Sequence, residues 1–260
     1  MPTEIVRQQT PEEAELLRKR EELAVVRAAL AERELELADL RAQLKSFEGR
    51  YLRQVGVLYA ELDEWKARIA ELDASLRSTP AAQQQAKQAR KQADETREAT
   101  HGEASQALDF QPSADLKQLF REVAKCIHPD FAKDDTDRQR RTRLMTQANE
   151  AYSNGNSDAL QRILDDYQES SESVLGEGIG AELIRIIRQI HEARKNITTL
   201  EGELDRLSSG ELSQLKTDTE AAQKEGIDLL AQLAATLEGK IAQRRKEHER
   251  LAREVRTHGR

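Results

Sequence analysis

The chain has 260 residues, of which 34% are charged, 37% apolar and only 3% aromatic, with a formal net charge of −7. So few aromatics exclude a single large aromatic-rich core. The well-mixed, slightly acidic charge gives no support for a general nucleic-acid binder, which usually carries a net basic surface. Ala, Glu, Leu, Lys and Arg dominate, which is the bias of long helices and coiled coils. The expected class is therefore all-α, with burial along helix-to-helix seams.

Cys126 is the single cysteine, so an internal disulfide framework is ruled out and a reducing compartment is favoured. The N-terminal stretch MPTEIVRQQTPEEAE holds no apolar core of signal-peptide length, and no stretch approaches the ~18–20 apolar residues needed to span a bilayer. These features predict a soluble, cytoplasmic protein.

From 11 to 79 an apolar residue recurs every seven positions: Leu16, Leu23, Leu30, Leu37, Leu44, Tyr51, Leu58, Trp65 and Leu72. A second row lies three residues later at Val26, Leu40 and Phe47, then four later at Val55, Leu62, Ile69 and Leu76. The change predicts a stutter near 47–55, close to Gly49 and Gly56, in a coiled coil whose supercoil unwinds locally there. Lys19 and Arg33 interrupt the early row. At ~1.5 Å per residue such a rod would be roughly 100 Å long.

Residues 80–106 lose every large apolar side chain. Without a stripe to bury, they read as a polar linker, helical in part or disordered. Lys87, Arg90 and Lys91 read as a solvated face.

A different pattern occupies 107–168. Pro112-Ser113 opens a helix that Ser113 can cap, with Asp115 favourable in its first turn. Leu116, Leu119, Phe120, Val123, Ala124 and Ile127 form a broad apolar stripe. Lys117, Arg121 and Lys125 repeat at i, i+4 and i+8 as a basic ridge on another face. The helix must stop at His128-Pro129-Asp130, because a proline disfavours helical geometry in the residue before it. A polar loop follows, and then a second amphipathic helix with Leu144, Met145, Ala148, Ala151 and Tyr152 on its apolar side. The two helices must pack antiparallel, with HPD at the tip.

The segment LKQLFREVAKCIHPD, 116–130, resembles the second helix and loop of the J-domain (DnaJ-like) co-chaperone family. That family places an aromatic, a basic residue, a leucine-like residue and Ala before HPD, and Phe120, Arg121, Val123 and Ala124 stand at those positions. Met145 and Asn149-Glu150-Ala151-Tyr152 resemble its third helix. The resemblance implies docking on a DnaK-type ATPase chaperone and stimulation of its ATP hydrolysis. His128, Pro129 and Asp130 would be the trigger. Lys117, Arg121 and Lys125 would supply complementarity to an acidic surface, setting on-rate and register more than affinity. Phe120 and Val123 would hold the helix pair together. Upstream of Pro112 only Ala107, Leu108 and Phe110 occur, so the family's first helix is missing, shortened or replaced; if replaced, Leu108 and Phe110 or a flanking coiled coil could pack on the pair. Neither a Gly/Phe-rich linker nor a cysteine-rich zinc module occurs in the sequence.

Beyond the glycines of GEGIG (176–180), read as a hinge because no strand precedes them, 3–4 spacing returns over 181–257. Leu183, Ile186, Ile190, Ala193, Ile197, Leu200, Leu204 and Leu207 carry it up to Ser208-Ser209-Gly210. It resumes clearly at Ile227, Leu230, Ala234, Leu237 and Ile241. This fits either one interrupted coiled coil or an antiparallel hairpin.

No metal set emerges from five scattered histidines and one cysteine, no cofactor is implied, and no catalytic arrangement stands out. His191 and His248 read as exposed positions, and Cys126 as an inert thiol. Arg138, Arg140, Arg141 and Arg143 lack interleaved aromatics and are balanced by Asp134, Asp135 and Asp137, so they read as a solvated helix face. The sequence thus predicts a co-chaperone whose coiled coils give self-association and partner or client recruitment. The alternative is a coiled-coil scaffold with a degenerate, non-stimulatory module.

Overall fold

The structure, a computed structural model, describes residues 10–103, 110–169 and 178–258. Among them only helices and turns occur, and no strand. No helix among them is long and apolar enough to cross a membrane. The chain divides into two compact units, Met1–Gln43 with Phe110–Ser209 and Leu44–Asp109 with Gly210–Arg260. Gly176, Leu108 and part of the expected linker lie outside the described residues.

The first unit takes the start of α1 (Pro11–Tyr51), then α4 (Ala114–Ile127), a short 3-10 turn (Pro129–Phe131), α5 (Asp135–Ser153), α6 (Ser157–Glu169) and α7 (Ile179–Ser208). One apolar side of α1 follows the sevenfold repeat: Leu16, Leu23, Val26 and Leu30 pack with Ile186, Ile190 and Ala193 of α7. Ion pairs Arg20–Glu182, Arg33–Glu201 and Arg41–Glu203 advance together along both helices, so α1 and α7 run in the same direction. Arg33, an apparent fault in the repeat, is thereby placed beside an acid of α7. A second side of α1, Ala31, Leu35 and Ala38, packs against α4, α5 and α6. This side is mostly alanine, which lets helices approach closely without advertising an apolar stripe.

In α4 and α5 the sequence dictates the ends. Ser113 Oγ accepts the Leu116 amide at 3.1 Å and starts α4. Asp134 caps α5 by accepting from the Asp137 amide at 2.8 Å, while Asp137 accepts from the Lys133 amide at 3.0 Å. The second bond resembles that of a capping box but reaches the residue before the cap, so it ties the loop rather than Asp134 itself to the first turn. The helices are antiparallel: the Phe120 and Tyr152 rings meet at a tilt with centroids 4.8 Å apart, and Arg141 reaches the Cys126 carbonyl at 2.9 Å. Phe120, Val123, Ile127, Ala148, Tyr152 and Leu160 are fully buried at the centre.

The second unit takes the end of α1, a π-helical segment (Leu52–Gly56), α2 (Val57–Arg77), α3 (Pro80–Glu103), α8 (Glu211–Lys224) and α9 (Leu229–His258). The π segment coincides with the expected stutter; an extra residue is absorbed there by a wider turn. Phe47, Val55 and Leu62 pack with Leu230, Leu237 and Ile241 of α9. Trp65 lies at an edge of this seam, its Nε1–H donating to Glu61 at 3.2 Å and its ring edge-on to His248 at 5.4 Å. His248 is accordingly half-buried, where the sequence suggested an exposed position.

The expected linker is the clearest correction. Ser78 turns the chain with φ 47°, and Pro80 begins α3, which runs to Glu103. Arg90 reaches back to Glu71 at 2.8 Å and to Glu64 at 2.7 Å, and Thr96 donates to Asp63 at 3.0 Å, so α3 lies antiparallel on α2. Among its described side chains the buried ones are Ala82, Ala86, Ala93 and Thr100, small enough to seat a helix without any large apolar residue. The region 181–257 is neither one rod nor one hairpin. It divides between the units at Ser209–Gly210, and α8 and α9 are joined by a turn with Gly226 at φ 79°.

Candidate functional site

The site grows from the end of α4. His128 leaves the helix with φ −57° and ψ 132°, the extended geometry that Pro129 demands of its predecessor. Pro129 then opens the 3-10 turn, and the Asp130 amide donates to His128 Nδ1 at 3.2 Å. A nitrogen that accepts must be unprotonated, so the ring proton sits on Nε2, which faces Glu34 Oε1 at 3.3 Å. His128 is only 4% exposed.

The Asp130 side chain is buried in an unusual way. Asn196 Nδ2 of α7 donates to its Oδ1 at 2.5 Å, while Oδ2 is buried without a hydrogen-bond partner, 3.4 Å from His128 Nδ1. Burial pushes the carboxyl above its ordinary range; His128 and the Asn196 bond only partly oppose this. Phe131 follows, buried in the seam of α1 and α7 with the Arg27 guanidinium 4.3 Å over its ring.

The basic ridge lies on the same face as His128, because both meet α1. Lys117 Nζ sits 2.8 Å from Asp39 Oδ2. Arg121 forms a two-point pair with Glu32, Nε to Oε2 at 2.5 Å and Nη2 to Oε1 at 3.1 Å. The Glu32 carboxyl is held below its usual range chiefly by that bond. Tyr152 adds a hydroxyl bond to Asp39 Oδ1 at 3.2 Å. Lys125, one turn further along the ridge, is exposed. Comparison with protein-family models, with curated proteins and with solved structures finds no match for this chain.

Of the six residues singled out from the sequence, Lys117 and Arg121 along α4 and His128 just beyond its end all face α1, Asp130 meets α7, and Lys125 is exposed. Sequence reasoning missed Glu32, Glu34, Asp39 and Asn196, which surround them. Glu32 and Asp39 are seven apart, hence on one face of α1, and that spacing was the available signal. It missed Arg141 as well. That side chain is not on a solvated face: it is 5% exposed. It donates to the carbonyls of Cys126 at 2.9 Å and His128 at 3.3 Å, pairs with Asp137 at 2.9 Å and bonds the Tyr167 hydroxyl. The last carbonyls of α4 lack intrahelical partners; Arg141 satisfies that of Cys126 and adds a bond to the His128 carbonyl, fixing where the HPD loop begins. Cys126 is half-buried, and burial raises its thiol pKa, which disfavours the reactive thiolate.

Proposed function

We propose that this chain is a J-domain co-chaperone that binds a DnaK-type ATPase chaperone and stimulates its ATP hydrolysis. The observation that supports this reading is the HPD loop itself. It carries an Asp130 carboxylate with one buried oxygen unsatisfied, and a His128 that faces α1 as Lys117 and Arg121 do. An orphaned buried acceptor costs stability. Perturbed carboxyls of this kind collect where a group has work beyond folding. In this reading Lys117, Arg121 and Lys125 align on an acidic chaperone surface, and His128–Asp130 deliver the signal for hydrolysis. The chain itself performs no chemistry on the nucleotide.

Self-association through the long helices belongs to the same proposal. Leu17 and Val25 on α1 and Ile184 and Ile187 on α7 remain exposed, and they supply apolar surface for it. Steady-state ATPase of a DnaK-type chaperone is the test. The chain should raise turnover, and His128→Gln should return it to the basal rate. Equal rates with and without the chain, or with wild type and His128→Gln, would refute the reading.

A second reading has a specific observation in its favour: Lys117, Arg121 and His128 all have acidic neighbours within their own unit. They would then be packing devices in a helical scaffold. That reading requires Lys117→Glu with Arg121→Glu to leave chaperone binding and ATPase unaltered, and truncation of the long helices to abolish self-association.

A further inference from the structure

Under the proposed function the partner of the ridge is an acidic surface. Helix α1 already supplies one. Within eight residues it places Glu32 on Arg121, Glu34 on His128 Nε2 and Asp39 on Lys117. Helix α7 adds Asn196 on Asp130, and Phe131 is seated between the two helices beneath Arg27. Of the six proposed docking residues, Lys125 is the one that is exposed. Resting on that function, we infer that α1, assisted by α7, is a built-in competitor that holds the docking face closed, so that the chaperone gains access only when α1 is displaced.

The composition of the contact suits a removable lid. Ala31 and Ala38 flank a single large residue, Leu35, where α1 meets the core of α4, α5 and α6. The remaining contact with α4 is ionic, and Arg121 and Glu32 keep about a third or more of their side-chain surface in water. Pairs of that kind are individually weak and screened by salt. They can also be exchanged for equivalent carboxylates of a partner, since nothing but charge and a two-point geometry is required. A closed state in equilibrium with an open one raises the apparent dissociation constant by the inverse of the open fraction. The consequence is a co-chaperone that stimulates only at higher concentration until something that binds α1 or α7 releases the face.

The experiment uses the full chain and a DnaK-type chaperone. ATPase stimulation is titrated for the wild type, for Glu32→Gln/Glu34→Gln/Asp39→Asn, and for that triple variant carrying His128→Gln. The triple variant should reach half-maximal stimulation at a concentration about tenfold or more below the wild type, with the same plateau, and His128→Gln should abolish the effect. If wild type and triple variant titrate alike, and both depend on His128, the lid is wrong and the co-chaperone reading stands. If neither stimulates, the co-chaperone reading fails and the lid fails with it. Amide hydrogen exchange on the unmodified chain gives a decision that needs no variant. Saturating chaperone should deprotect residues 30–39 of α1 while 128–131 stay protected; unchanged protection of 30–39 at saturation overturns the inference.

Discussion

The two units are built from the same kind of helix but bury different things. Among the described residues of the second, the buried polar residues are Thr100, Ser213 and Thr219, and Arg50 Nε is buried without a hydrogen-bond partner. Thr100 and Thr219 return their hydroxyl bonds to carbonyls of their own helices. Its ion pairs, such as Arg90 with Glu64 and Glu71, are half-buried to exposed. In the first unit a histidine and an arginine are buried, and a carboxylate oxygen has no partner. Seams and small residues are enough to assemble helices. The polar interior of the first unit is more than assembly needs, and it is concentrated where α4 ends.

That contrast can be attacked in order of expected size. Arg141→Ala removes a buried cation that satisfies two carbonyls and a carboxylate. By the cost of breaking a buried pair it should destabilise the first unit by about 3–5 kcal/mol, measured as a shift in denaturant midpoint by circular dichroism. A loss below about 1 kcal/mol, the scale of a single ordinary hydrogen bond, would mean the guanidinium is dispensable and the contrast overstated.

Gly56→Leu probes the second unit. A Cβ at Gly56 would already stand 3.1 Å from Leu52 Cδ2 and 3.3 Å from Thr100 Cγ2. The larger side chain should wedge α3 away from the π segment at a cost of about 1–3 kcal/mol. Stimulation of chaperone ATPase per folded molecule should not change, because the loop lies in the other unit.

Ser113→Ala should cost about 1 kcal/mol through the lost cap of α4, with Ser113→Gly costing less. Equal losses for the two would show that the hydroxyl bond is not what starts the helix.

The smallest effect carries a sign. Asp130 has a raised pKa in the folded chain, so its folded state binds the proton more tightly than the unfolded one. That contribution is fully present below the ordinary aspartate value and is lost as pH rises through the raised value. Asp130→Asn should therefore match the wild type in acid and become relatively more stable, by up to about 1 kcal/mol, as pH approaches neutrality. Under the proposed function the same variant no longer stimulates the chaperone. A wild type that outlasts Asp130→Asn at neutral pH would show that the carboxylate serves the fold.

Much of this architecture was legible because it is local. The sevenfold repeat placed Leu16, Leu23 and Leu30 in a seam, and the shift of its companion row fell on the π segment. Ser113 and the proline of HPD marked both ends of α4. What escaped has two physical origins. Alanine faces carry almost no hydropathy contrast, so α3 read as a linker, and the contact of Ala31 and Ala38 with α4, α5 and α6 left no trace. Ion pairs between residues 78 and 89 positions apart, Asp39 with Lys117 and Glu32 with Arg121, have no spacing rule at all. Each partner looked like one more charge on a solvated helix. Arg141 was misread for that reason, since a run of arginines does not reveal which one turns inward.

Trp65 gives the two-unit arrangement a practical handle. It is the only tryptophan in the chain, and it lies wholly within the second unit, flanked by the guanidinium groups of Arg68 at 4.9 Å and Arg245 at 5.4 Å. Its fluorescence therefore reports on that unit alone, in a setting where loss of nearby cations and of the Glu61 bond should shift the emission. Of the four tyrosines, Tyr152 and Tyr167 belong to the first unit and Tyr51 and Tyr59 to the second. With Tyr51→Phe and Tyr59→Phe in place, tyrosine absorbance follows the first unit while tryptophan emission follows the second. The two signals then become separate clocks on separate halves of one polypeptide.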